Sequence, residues 1–297
     1  MRIKKFAAID IGSNAMRVLI SNIIETGGEV YFQKNTLVRA PVRLGEDSFT
    51  LGEISKKSIK RMTDAMKSFK LLMKVHDVSH YKAYATSALR EANNSNEVIE
   101  KIKKKSGINI EIIDGRKEAE IISYSKLSEF LNTQKTFLFV DVGGGSTEFS
   151  IIHEGKRVSA KSFKIGTVRL INKLVDDRVW EAIQSWIKKN VEPYRKITLM
   201  GSGGNINKLF KLANIKEGKP LSLIKLNQIF LELDSHSYEE RMVKFELNPD
   251  RADVIIPAAR IYLKALEWSG GQKIYVPKFG LSDGMIKYMY EKRDKKG

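Results

Sequence analysis

Val140-Asp141-Val142-Gly143-Gly144-Gly145-Ser146-Thr147-Glu148 lies between two apolar runs of β type, Thr136 to Val142 and Thr147 to Ile152. The pattern predicts a strand, a tight glycine turn and a second strand. Glycine has no Cβ and tolerates positive φ, so backbone N–H groups can converge in such a turn. Converging N–H groups make a nest for an anion such as phosphate. Asp141 stands at the strand end, where a carboxylate suits a divalent cation or its water. Ser146 and Thr147 add hydroxyl donors, and Glu148 adds a second carboxylate. Taken alone, three glycines fit a plain hairpin tip equally well.

A weaker copy upstream separates the two readings. Ala8-Ile9-Asp10-Ile11-Gly12-Ser13-Asn14 again sits between apolar runs, Phe6 to Ile11 and Val18 to Ile24. Each copy is followed by a further turn and a third strand: Gly27-Gly28 leads into Val30 to Leu37, and Glu154-Gly155 into Arg157 to Ile165. Repetition of the unit predicts a duplicated β-meander, its two phosphate turns facing each other across a cleft.

Helices and strands alternate around these meanders, which is the signature of an α/β chain. Ile54, Ile59, Met62, Met66, Phe69 and Met73 recur at helical spacing and read as core. Tyr81 to Ala85 is a short strand leading into Thr86-Ser87-Ala88-Leu89-Arg90. Asn93 to Ser95 cap a helix that Gly107 stops. Ile108 to Ile113 is apolar, and a helix from Asp114-Gly115 is expected to run on to Phe130. In the second half, Trp180, Ile183, Ile187 and Val191 mark a helix followed by Pro193. Ile197 to Met200 leads into Gly201-Ser202-Gly203-Gly204. Helices over 221–233, 238–247 and 254–268, a strand at 274–276 and a last helix from about Asp283 complete the chain.

With 297 residues there is room for two domains, each with its own core. The absence of cysteine excludes disulfides, thiol catalysis and thiolate metal sites. The four histidines offer no metal-ligand spacing beyond His76-x3-His80. No run approaches the roughly 20 apolar residues of a membrane span, and Phe6 to Ile11 is too short, and carries Asp10, for a signal peptide. A cytoplasmic location without a membrane partner is the expectation. Net charge is +17, from 52 Lys and Arg against 35 Asp and Glu, which favours polyanionic partners. The charge reads as spread along the chain, with Lys101 to Lys105 and Lys292 to Lys296 as solvated faces. No zinc-finger, RNP or basic-zipper pattern appears, so no specific nucleic-acid partner is expected.

The two Asp-x-Gly turns resemble those of the exopolyphosphatase / guanosine pentaphosphate phosphatase family, within the actin-like ATPase superfamily. Ala85-Thr86-Ser87-Ala88-Leu89-Arg90-Glu91-Ala92, Gly115-Arg116-Lys117-Glu118-Ala119, Gly166-Thr167-Val168-Arg169-Leu170, Gly201 to Gly204, Arg251-Ala252-Asp253-Val254-Ile255 and Gly280-Leu281-Ser282-Asp283-Gly284 follow in the family's order. The resemblance implies two actin-like (ribonuclease H-like) domains in the short two-domain form. The first spans 1–123, with the last helix, about 283–297, packing back on it; the second spans 124–282. The boundary falls near a helix at 117–131.

The resemblance also implies a chemistry: hydrolysis of the terminal phosphoanhydride of inorganic polyphosphate by a glutamate-activated water and a divalent metal. Guanosine pentaphosphate is the alternative substrate. A superfamily kinase and a non-catalytic polyphosphate or alarmone sensor are the rivals from other classes. Glu118 matches the family's base, although a first-turn glutamate also suits the helix dipole. Gly12, Ser13, Asn14, Gly143, Gly144, Gly145, Ser146 and Thr147 are the phosphate-binding candidates. Arg90 joins them, because a guanidinium can take a phosphate bidentately. Asp141 and Glu148, with Asp10 third, are the candidate ligands of magnesium or another divalent cation, and a monovalent cation such as K+ is compatible. Gly201, Ser202, Gly203 and Gly204 correspond to a nucleoside-contacting turn or shape the cleft. Arg251 reads as a phosphate or interdomain contact and Asp253 as a helix cap. Lys117 departs from the family, which often places an acid there, and adds positive charge beside the base. A homodimer is expected from the resemblance alone.

Overall fold

In the computed structural model, residues 1–125, 135–194, 196–277 and 279–294 are described, and elements are numbered along them. Two units result, Met1–Leu127 with Phe279–Gly297, and Ser128–Lys278.

The first unit begins with the meander. β1 (Arg2–Ile11) runs antiparallel to β2 (Met16–Thr26), with Asp10 opposite Arg17, and β3 (Glu29–Ala40) lies on the far side of β2. α1 (Leu44–Leu51) and α2 (Lys56–Val75) lead to β4 (His80–Ala85), parallel to β1. α3 (Ser87–Glu91) and α4 (Ser95–Ser106) lead to β5 (Ile110–Ile112), parallel to β4. The sheet order is β3-β2-β1-β4-β5, followed in the chain by α5 (Gly115–Ser123). Phe6, Ala7, Ala8, Ile9 and Ile11 are all buried, as a central strand covered on both faces requires. The methionine stripe of α2 is core, as expected. Asn94 holds the cap position of α4, as expected, and its carbonyl accepts from Val98 N at 3.0 Å, but its side chain makes no cap bond; the amide instead bonds both backbone groups of Ile54, each at 2.9 Å. The expected continuation of α5 over 126–130 lies outside the described residues.

The second unit repeats the plan. β6 (Thr136–Val142), β7 (Thr147–His153) and β8 (Lys156–Phe163) form the meander. α6 (Thr167–Ile171) and α7 (Asp177–Val191) precede β9 (Ile197–Ser202), parallel to β6. α8 (Gly204–Leu212), β10 (Leu221–Ser222), α9 (Leu223–Asp234), α10 (Tyr238–Lys244), α11 (Pro249–Ala252) and α12 (Ile255–Ser269) lead to β11 (Lys273–Tyr275), parallel to β9. Read from β8, the order is β8-β7-β6-β9-β11-β10, the order of the first sheet with one antiparallel edge strand added. The duplication extends to a defect. A register shift falls between Ile20 and Ser21 in β2 and between Ile151 and Ile152 in β7, at the same distance from the strand start in each copy.

α13 (Leu281–Asp294) belongs to the first unit. Asp283 pairs with Lys34 at 2.8 Å, and Tyr290 donates to Glu25 at 3.1 Å. Gly284 lies so close to α5 that a Cβ there would overlap the Ile121 carbonyl. Among the described residues no helix is long and apolar enough to cross a membrane.

Candidate functional site

The parallel strands of each unit bring the candidate residues to one sheet edge, where ligands of α/β sheets bind. In the first unit, Ile11 pairs with Ala85 and Ala85 with Ile112, so β1, β4 and β5 end together. The Gly12 turn, the start of α3 and the start of α5 follow those ends. Thr86 N donates to Ile11 O at 3.2 Å, and the buried Ser13 and Ser87 hydroxyls lie 2.9 Å apart. Arg90 donates from Nη1 to Ile113 O at 2.8 Å, which ties α3 to the residue before the Asp114 cap of α5. Gly12 to Asn14, Arg90 and Glu118 therefore share one edge. In the second unit Asp141 pairs with Ser202, so the Gly143 turn and the Gly201 to Gly204 turn share the corresponding edge.

The two glycine turns are built alike. Gly12 N donates to Ala15 O at 3.1 Å and Gly143 N to Ser146 O at 3.0 Å. In each copy the next helix docks on the turn's carbonyls. Gly45 N of α1 bonds Ser13 O at 2.8 Å, and Arg43 N bonds Asn14 O at 3.0 Å. In the second copy Thr167 N bonds Gly143 O at 3.0 Å, Val168 N bonds Gly144 O at 2.9 Å, and Arg169 Nε bonds Gly145 O at 2.8 Å. In a trans peptide the C=O and the following N–H point in opposite directions, and there is no cis bond among the described residues. With those carbonyls turned to the helix, the N–H groups of Asn14 and Ala15, and of Gly144, Gly145 and Ser146, point away from it. N–H groups turned outward in this way suit an anion.

The glycines serve this nest by their size. None of Gly12, Gly143, Gly144 and Gly145 has a positive φ, contrary to the sequence expectation. A Cβ on Gly143 would stand 3.0 Å from Ser146 O, and one on Gly12 3.2 Å from Ala15 O. Gly166, the cap of α6, has no room for a Cβ against Gly144 and Gly145. In the sequence alone Gly166 and Arg169 carry no evident task. Glycine followed three residues later by arginine at a helix start was the available signal.

The hydroxyls of the second turn face inward. Thr147 Oγ1 donates to Ile165 O at 2.7 Å from a fully buried side chain. The expectation of a phosphate-facing hydroxyl there is corrected: Thr147 fixes the chain between β8 and α6. Ser146 Oγ and Ser162 Oγ both donate to Glu148 Oε1, at 2.7 and 2.9 Å.

Glu148 pairs directly with Asp141 across the strands, where the first copy places Arg17 opposite Asp10. Two carboxylates in that position repel, and one or two carboxylates with waters is the usual protein share of a magnesium site. The donor set thus fits a divalent cation. Asp10 has Arg17 at 3.6 Å instead. Burial raises the Asp10 pKa, and the arginine works against that rise. Among the described residues no group of three or more His, Asp and Glu side chains gathers as a metal site.

Gly203, at φ +112°, lets the β9 turn pass close to Asp141: a Cβ there would stand 3.3 Å from Asp141 Oδ1. The fully buried Tyr262 of α12 donates its hydroxyl to Ser202 O and fixes the same turn. Burial, with the charges of Asp141 and Glu148, raises the Tyr262 pKa well above the usual tyrosine value. Arg251 bonds Gly204 O and, at 3.2 Å, Asn205 Oδ1, so it braces this turn. Asp253 ends α11 and does not open the following helix, whose cap position is Val254.

Glu118 is half-buried in the first turn of α5, whose cap Asp114 accepts from Lys117 N at 2.7 Å. Lys117 Nζ donates to Tyr288 OH of α13 at 2.7 Å and to Glu120 Oε2 at 3.2 Å. Both bonds raise its pKa. Adjacent helical residues do not share a face. The cation beside Glu118 is thus directed onto α13, where Tyr288 also meets Tyr124 edge-on.

Comparison with known proteins agrees with this architecture. Residues 24–293 match the model of the Ppx/GppA phosphatase family. The bifunctional 3-dehydroquinate synthase/phosphatase of Fusobacterium nucleatum is 27% identical over 294 residues, 91% of this chain and 44% of that protein. Guanosine-5'-triphosphate,3'-diphosphate pyrophosphatase of Photobacterium profundum is 27% identical, over 97% of this chain and 59% of that protein. This chain thus spans about half the length of those two relatives. Exopolyphosphatase 2 of Mycobacterium tuberculosis is 26% identical, over 96% of this chain and 98% of that protein. The crystal structure of an exopolyphosphatase from Cytophaga hutchinsonii superposes with a TM-score of 0.87 at 26% identity, covering 97% of this chain and 98% of that one.

Proposed function

The chain belongs to the Ppx/GppA phosphatase family of phosphoanhydride hydrolases, and we propose that it releases the terminal phosphate of inorganic polyphosphate. The observation that carries this reading is the pair of outward-turned N–H nests, one in each unit, with Arg90 and Glu118 at the edge of the first. Each nest suits phosphate oxygens. The relative of matching length is named an exopolyphosphatase.

Phosphoryl transfer asks a protein for positioning and charge neutralisation more than for covalent chemistry. The N–H groups of Asn14, Ala15, Gly144, Gly145 and Ser146 take phosphate oxygens, and Arg90 adds a guanidinium. Glu118 accepts a proton from water as its oxygen attacks the terminal phosphorus. The P–O bond to the next phosphate breaks, leaving orthophosphate and a chain one unit shorter. Asp141 and Glu148 would hold a magnesium ion, which when bound neutralises charge on the phosphates. Ser146 and Ser162 orient Glu148 for that task.

The test is phosphate release, with magnesium, from long-chain polyphosphate and from guanosine pentaphosphate in parallel. Loss of a general base typically costs about 10²–10⁴-fold, so Glu118→Gln is expected to lower kcat by that factor with little change in melting temperature. Full activity in the variant would remove Glu118 from the mechanism. Faster release from the nucleotide would move the Gly201 to Gly204 turn into the substrate site and favour the function named for the Photobacterium relative.

A further inference from the structure

α2 and α4 pack against each other and bring together charges that look dispersed along the chain. α2 carries Lys56, Lys57, Lys60, Arg61, Lys67, Lys70 and Lys74 against Asp64 alone; α4 carries Lys101, Lys103, Lys104 and Lys105 against Glu97 and Glu100. With 11 basic and 3 acidic residues, this pair of helices holds +8 of the chain's +17. All these basic residues are exposed. Among the described residues none of them enters an ion pair.

The lysines of α2 are also ordered. At about 100° per residue, Lys56, Lys60, Lys67, Lys70 and Lys74 fall within a sector about 80° wide and extend over about 27 Å of helix. Asp64 falls outside the sector, and the core residues Ile59, Met62, Met66, Phe69 and Met73 occupy another face. Like charges at i,i+4, such as Lys56 with Lys60 and Lys70 with Lys74, destabilise a free helix. A linear anion laid along the row would offset that repulsion.

We propose that this row is a docking track for polyphosphate chains, separate from the two nests. Lysine offers point charges without arginine's bidentate fork; α2 adds no exposed aromatic side chain to the row, and the Tyr81 ring beside it is covered by Lys70 Nζ, 5.2 Å from its centroid. It therefore suits a strand of charges without bases. The inference rests on polyphosphate being the substrate, but its test reads binding.

The chain carrying Glu118→Gln, which spares the polymer, is titrated with labelled long-chain polyphosphate over a range of salt concentrations. The titration is repeated with Lys60, Lys67 and Lys74 all changed to Gln, and with all three changed to Glu. Counterion release contributes about 0.7 per neutralised charge to the slope of log K against log salt for a single strand. The triple Gln variant is expected to lose about 2 from that slope and at least tenfold in affinity, and the Glu variant more. Affinity for tripolyphosphate, too short to span the row, should change less than twofold. An unchanged slope and affinity, with melting temperatures confirming the fold, would overturn the proposal. So would tighter binding of duplex DNA than of polyphosphate at equal charge and salt. If the chain with Glu118 intact releases no phosphate yet the slope falls, the track stands and the catalytic reading fails; release by that chain with an unchanged slope is the reverse.

Discussion

Replacing Gly166 by alanine tests whether the second nest depends on the docking of α6. Gly166 is extended, at φ −158° and ψ 169°, so alanine brings no backbone strain. Its Cβ, however, would overlap the Gly144 carbonyl group and stand 2.6 Å from Gly145 N, where ordinary contact begins at 3.4 Å. These are backbone atoms with no rotamer to yield, so turn and helix must part by at least about 0.8 Å, the difference between those two distances. The bonds from Thr167 N, Val168 N and Arg169 Nε to the turn, at 3.0, 2.9 and 2.8 Å, stretch with that movement. Such bonds contribute about 0.5–1.5 kcal/mol each, and overpacking costs about 1–3 kcal/mol. Partial loss of the bonds plus the strain gives an expected destabilisation of about 2–4 kcal/mol in denaturant unfolding. A misplacement near 1 Å can cost about 10²-fold in rate, so kcat for phosphate release is expected to fall by that order. Gly12→Ala, whose Cβ meets only Ala15 O at 3.2 Å, should show a smaller loss of both. A Gly166→Ala protein with wild-type kcat would refute the claim that α6 sets the nest, whatever its stability.

Three further outcomes follow from the packing. Gly284→Ala forces α13 away from the Ile121 carbonyl of α5; a loss of about 1–3 kcal/mol together with a lower kcat is expected, because α5 carries Glu118, and unchanged unfolding would contradict the contact. Tyr262→Phe removes a hydroxyl donor from the buried Ser202 carbonyl, which should cost about 0.5–1.5 kcal/mol and raise the magnesium concentration needed for half-maximal activity. Asp10→Asn should act through pH. Burial raises the Asp10 pKa above its ordinary 3.8, so the stability gained from its proton is fully present below that value and is lost as pH rises through the folded-state pKa. The variant should therefore melt higher than wild type at pH 7, with the difference shrinking towards pH 4; a difference independent of pH would remove the ionised Asp10 as its cause.

What the sequence shows of this chain depends on how far apart the interacting residues lie. Both meanders are legible because alternation and glycine turns are local, and the doubled pattern gave the two-part α/β architecture before any contact was known. The nests were legible in place but not in cause. The glycines suggested positive φ, whereas Gly143 is needed because Ser146 O lies 3.0 Å from where a Cβ would stand. Gly166 and Arg169 act on a turn more than twenty residues upstream, and no periodicity carries that distance. Thr147 is adjacent to the turn in sequence, yet strand alternation sends its side chain inward to Ile165 O. Lys117 looked like a perturbation of Glu118 because they are neighbours in the chain, but one step along a helix turns a side chain by about 100°, and its partner is Tyr288. The lysines of α2 and α4 are the converse case. Some thirty residues apart, they read as dispersed charge, and only the packing of the two helices makes them one surface. Local pattern thus locates the two glycine turns, while the side chains that set their position and their charge are joined by tertiary contacts that a linear reading does not register.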